Sequence, residues 1–133
     1  MIKLTQLQKN KLQDLNVSLV YLFGSYAEEK SMPSSDIDIG VAFFNEKTLK
    51  EDAGKIYNEL YFLFSDIFIE KSIDIVFLQN AGLELRFDVI GHGKIIYQFS
   101  YEERLKFEDQ VNILYMDFKP LLKEFNQAIL NRI

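Results

Sequence analysis

Gly24 and Ser25 close an apolar run, and ten residues later Asp36-Ile37-Asp38 opens the next one. A third acid, Asp74, interrupts a further apolar segment, Ser72 to Leu78. Carboxylates on buried strands are costly alone and repel one another when gathered, unless cations compensate them. Hard oxygen ligands suit Mg²⁺, which is held by one or two carboxylates together with substrate phosphates. Paired ions about 3.5 to 4 Å apart clamp the attacking and leaving oxygens of phosphoryl transfer. Gly24 at a strand end lets a phosphate approach the backbone, and Ser25 with the amides after it offers donors to negative charge. The chemistry implied is therefore metal-assisted phosphoryl transfer, with Asp36, Asp38 and Asp74 gathered about the cations and Gly24 and Ser25 seating a triphosphate tail.

Each part alone has a plainer explanation. A Gly-Ser pair is an ordinary turn after a strand, and an Asp-x-Asp is a cap or a solvent-facing edge. The combination at this spacing, with Asp74 on a strand, is what points to chemistry. Other polar groups carry less: His92 between two glycines reads as an exposed loop residue, and Glu102, Glu103, Glu108 and Asp109 as a solvated helix face with first-turn charges. The aromatic residues Tyr57, Tyr61, Phe62, Phe64 and Phe68 fall at helical spacing and read as core or as a partner-binding face.

The elements that must position these groups follow from periodicity. Thr5 with Gln8 forms a capping-box pattern for an opening helix ending near Asn16. Val17 to Phe23 is rich in β-formers and reads as a buried strand, followed by a loop containing Pro33. Alternation in the strand from Asp36 sends both aspartates to one face and Ile37 and Ile39 to the other. Apolar residues stepping by three and four predict a helix from Thr48 to about Phe68. Ser72 to Leu78 is a third strand, Ala81 to Ile90 a helix ended by Gly91 and Gly93, and Lys94 to Tyr97 a fourth strand. Ser100 and Glu103 then cap a long helix whose face runs through Phe107, Val111, Leu114, Phe118, Leu121, Phe125 and Ile129, with a kink expected at Pro120. The fold class is α/β, a small mixed sheet of about four strands covered by helices with its carboxylates at one edge.

Composition bounds the partners. The chain has 133 residues, 48% of them hydrophobic, with 12 Phe and 7 Tyr, enough to close one core across a single domain, 1–133. No cysteine is present, which excludes disulfides and thiolate metal sites. A formal charge of −5 and no basic stripe argue against direct nucleic-acid binding. No segment is apolar for long enough to span a membrane, and a cytoplasmic protein is expected.

Gly24-Ser25, ten residues, Asp36-Ile37-Asp38 and the later Asp74 resemble the motif of the Pol β-like nucleotidyltransferase superfamily. The short chain and the ending YMDFKPLL, Tyr115 to Leu122, are similar to its minimal branch, the MntA-type antitoxins encoded beside HEPN-domain toxins. The resemblance implies that Gly24 and Ser25 hold the β- and γ-phosphates of ATP. It implies that Asp36 and Asp38 bind two Mg²⁺ ions, and that Asp74 completes one site and helps to activate the acceptor. It further implies AMP transfer to a tyrosine of the HEPN toxin, silencing its ribonuclease activity. The branch commonly reads GSYARG where this chain has Glu28 and Glu29, so acid stands near the expected phosphate seat, to be offset by solvent or by Lys30. Two further functions fit the residues: nucleotidyl transfer to a small hydroxylated molecule such as an aminoglycoside, and neutralisation of a partner by binding alone.

Overall fold

Helix α1 (Gln6–Asp14) begins with the reciprocal bonds expected of its sequence: Thr5 Oγ1 accepts from the Gln8 amide, and the Gln8 side chain accepts from Thr5 N. The computed structural model describes residues 2–24 and 36–131. Strand β1 (Val17–Phe23) follows immediately, the chain turning at Asn16 in the left-handed region (φ 62°), which asparagine tolerates better than most residues. Strand β2 (Ile37–Phe43), helix α2 (Lys47–Ile67), strand β3 (Ile73–Phe77), a short 3₁₀ turn (Leu78–Asn80), helix α3 (Leu83–His92), strand β4 (Lys94–Gln98) and helix α4 (Tyr101–Leu130) complete the order.

The four strands form one sheet in the order β3-β2-β1-β4. β1 is antiparallel to both β2 and β4, whereas β2 and β3 are parallel and joined by the α2 crossover. Both faces are covered, so the central strands carry apolar residues on both sides, the pattern of a fully buried strand. On one face Ile37, Ile39, Val41 and Phe43 pack with Val20, Leu22 and Ile75 beneath Leu12 of α1 and Leu60 and Phe64 of α2. On the other, Leu19, Tyr21 and Ala42 meet Leu78 of the 3₁₀ turn and Val89 of α3, with Phe107 of α4 against them.

A bulge near Ser18 sets the phase of β1. The pairing with β2 slips between Val17 and Leu19, and Val17 consequently packs in the same cluster as Val20 and Leu22 rather than with Leu19. The buried Ser18 hydroxyl donates to the Ala42 carbonyl at 3.2 Å, while the Ser18 carbonyl accepts from the Phe99 amide at 2.8 Å.

The mixed four-stranded sheet, its flanking helices and the long terminal helix agree with the sequence reading; three details differ. Gly91 lies inside α3, and Gly93 alone ends it, its amide donating to the Val89 carbonyl at 2.7 Å. His92 is therefore the last residue of α3 rather than a loop residue, with an exposed ring paired to Asp88. At Pro120, where a kink is expected, α4 runs on as one helix, and the non-helical backbone falls instead at Asp52 in α2 (φ −137°, ψ 34°). Among the described residues no helix is long and apolar enough to cross a membrane.

Candidate active site

Register brings the site together. Parallel pairing sets Asp38 of β2 directly beside Asp74 of β3, between the pairs Ile37–Ile73 and Ile39–Ile75. The flanking isoleucines are buried on the α2 face, so both carboxylates stand on the opposite face. The Ile37 amide donates to the Ser72 carbonyl at 2.8 Å and locks this register one residue before the acids. On the other side of β2, Phe23 is the antiparallel partner of Asp38, which places Gly24 next to the same carboxylate.

Gly24 is required there for two reasons. Its φ of +74° lies in the left-handed region, and a Cβ at this position would collide with Asp38 Oδ2. The end of β1 and the Asp38 side chain thus fit together only with a glycine between them. Ser25, the other half of the expected phosphate seat, lies outside the described residues, as do Glu28 and Glu29.

The electrostatics match the geometry. Burial pushes the Asp38 carboxyl above its ordinary pKa, and the charges of Asp74 and then Asp36 push it further in the same direction. Asp38 is half-buried, whereas Asp36 and Asp74 are exposed. Three carboxylates therefore interact at one end of the sheet. They are not drawn into a tight cage: among the described residues no group of three or more acidic or imidazole side chains is gathered closely enough to hold a metal ion. The donor chemistry nevertheless fits Mg²⁺, because that ion needs only one or two carboxylates alongside phosphate oxygens, and its charge relieves the repulsion felt by Asp38.

One polar group was misread from sequence. Glu108, expected on a solvated helix face, accepts a hydrogen bond from Tyr21 Oη at 2.5 Å and one from Arg104 Nε at 3.0 Å in a part-buried position. Burial, followed by the bond to Glu108, raises the Tyr21 pKa far above that of a free phenol. This network ties α4 to β1 two residues before the strand reaches Phe23. The i, i+4 spacing of Arg104 and Glu108 was a usable signal; the tyrosine partner, far away in sequence, was not. Of the aromatic series on α2, Phe64 and Phe68 are buried and Phe62 is exposed, so the series divides between core and surface.

Comparisons with known proteins bear on the family and the fold. No curated protein sequence matches the chain. Similar solved structures include a toxin-antitoxin complex with AMP-PNP, 27% identical, with 97% of this chain and 98% of that one covered and a TM-score of 0.59. A variant of the MntA-HpeT toxin-antitoxin is also 27% identical, with 98% of each chain covered and a TM-score of 0.60. A tri-AMPylated Shewanella oneidensis HEPN toxin in complex with MNT antitoxin is 26% identical, with 96% of each chain covered and a TM-score of 0.52. The family model described as polymerase beta, nucleotidyltransferase matches residues 4–104, a span that holds Gly24 and all three aspartates of the β1–β2–β3 end. With its mixed sheet, its paired acids and this match, the chain belongs to the Pol β-like nucleotidyltransferase family.

Proposed function

We propose that this protein is an antitoxin that transfers AMP from ATP to a tyrosine of a cognate HEPN-domain toxin. The observation that carries the reading is the side-by-side placement of Asp38 and Asp74 next to the glycine-tipped end of β1. It is supported by similar structures that are toxin-antitoxin complexes, one with AMP-PNP and one with a tri-AMPylated HEPN toxin.

In this mechanism the acceptor hydroxyl oxygen forms a bond to the α-phosphorus of ATP. The bond from that phosphorus to the α–β bridging oxygen breaks, and pyrophosphate leaves with the electron pair. Asp74 takes up the hydroxyl proton. Asp36 and Asp38 would hold Mg²⁺, with Asp74 as a further ligand, and the ion would supply charge neutralisation for the phosphates. Gly24 keeps the strand end close enough to Asp38 for the backbone to reach the phosphate tail, with Ser25 as a donor to it.

The test is to mix the protein with ATP, Mg²⁺ and its cognate HEPN-domain protein, and to weigh that partner by intact mass spectrometry. Whole AMP increments are expected on a tyrosine, together with loss of ribonuclease activity. An active toxin preparation that gains no AMP would reject the reading.

A further inference from the structure

Helix α4 is 30 residues long, yet Val111 is its one buried residue. Its apolar positions run from Phe107 through Val111, Leu114, Phe118 and Leu121 to Phe125 in alternating steps of four and three, the seam by which one helix packs on another. The first part of that seam is used internally. Phe107 packs against the sheet, Val111 is 2% exposed, and Tyr115 stacks on Phe87 of α3 with ring centroids 3.8 Å apart. The rest is uncovered: Leu121 is 62% and Phe125 63% exposed.

The length of α4 explains why that half is uncovered. The helix starts beside Ser18, where the Phe99 amide meets the Ser18 carbonyl, and by Glu108 it has reached Tyr21. It therefore advances along β1 toward the end that carries Gly24 and Asp38. From Glu108 to Leu130 a straight helix covers about 33 Å. The remainder of β1, from Tyr21 to Gly24, covers only about 10 Å. The apolar half of α4 is thus longer than the stretch of sheet left to cover it.

Charge selects among occupants. Asp117 and Glu124 precede Phe118 and Phe125 on one flank of the seam, and neither flank carries a lysine or arginine. A second copy of the chain would offer those acids no counter-charge, whereas a partner helix with basic flanks would pair with them and bury the apolar positions. We infer that the C-terminal half of α4 is the docking platform for the protein acceptor, taking an apolar helix with Lys or Arg along its edges. The inference rests on the proposed protein acceptor, and it assigns the contact surface separately from the chemistry.

The experiment compares the protein with Leu121→Glu/Phe125→Glu and with Asp117→Lys/Glu124→Lys, using the purified cognate HEPN-domain protein as probe. Both pairs sit on exposed positions, so circular dichroism melting curves should match wild type. Binding, measured calorimetrically, is expected to weaken at least about 30-fold for the first pair and several-fold for the second. Asp36→Asn/Asp38→Asn should bind the probe as wild type does. Docking that depends on Leu121 and Phe125 without any AMP transfer would leave the platform standing and remove the adenylylation reading. Undiminished binding by Leu121→Glu/Phe125→Glu would overturn the inference, and so would a wild-type chain that sediments alone as a dimer dispersed by that substitution.

Discussion

Asp38 and Asp74 are direct cross-strand partners in the one parallel pairing of the sheet, and Asp38 holds its proton more tightly than a free carboxyl because of burial and of its two acidic neighbours. A raised pKa in the folded state means that Asp38 stabilises the fold fully only below the ordinary aspartate pKa of about 3.9. That contribution is lost as pH rises through the elevated folded value. In the absence of metal, Asp38→Asn is therefore expected to raise the melting temperature at neutral pH and to leave it unchanged near pH 3. Added Mg²⁺ should stabilise wild type in proportion to its binding and have a smaller effect on the variant. Melting curves across pH, with chelator and with Mg²⁺, check both points; a lower melting temperature for the metal-free variant at neutral pH would contradict the repulsion.

Gly24→Ala should be damaging out of proportion to its size. The left-handed backbone costs about 1 to 2 kcal/mol for a residue with a Cβ, and that Cβ must displace the Asp38 carboxylate. Denaturant unfolding should report a loss of that order, and nucleotidyl transfer should fall by at least about tenfold. Gly54→Ala, at a helical position where an added Cβ meets nothing within 4 Å, serves as the control and is expected to be neutral or slightly stabilising.

The Tyr21–Glu108 bond anchors α4, and its two ends should respond differently to removal. Tyr21→Phe leaves Glu108 with Arg104 and should cost about 1 kcal/mol. Glu108→Ala strands a buried phenol and should cost about 1 to 3 kcal/mol. The raised phenol pKa also carries a sign: its contribution is complete below the ordinary tyrosine value of about 10 and declines as pH rises through the folded value. Alkaline titration of unfolding should therefore be shallower in Tyr21→Phe than in wild type.

Catalysis and simple binding separate in one comparison. Asp36→Asn/Asp38→Asn should form the complex with the HEPN protein at wild-type affinity while transferring no AMP and leaving the ribonuclease active. Retained neutralisation by this variant would favour action by contact alone.

Local signals located most of the elements. Val17–Phe23 and Lys47–Ile67 follow from β-rich composition and from three-and-four spacing, and Thr5 with Gln8 capped α1 as its pattern implies. The alternation in β2 was enough to send Asp36 and Asp38 away from the apolar face. What local pattern cannot carry is register: the pairing of Asp38 with Asp74, the bulge at Ser18 and the reach of Tyr21 to Glu108 depend on residues far apart in sequence. Gly91 misled because a glycine inside a helix costs only about 1 kcal/mol, which packing overrides. The seam of α4 was legible as a helical face, but its departure from the sheet was not, since a stripe of given spacing does not say what covers it.

The most direct test of the central claim is intact-mass measurement of the HEPN partner after incubation with ATP and Mg²⁺ and either wild type, Asp38→Asn or Asp74→Asn. Whole AMP increments with wild type, and none with either variant under conditions where all three bind the partner, are the predicted result. Equal AMP addition by the variants would contradict the placement of the chemistry on this pair of aspartates.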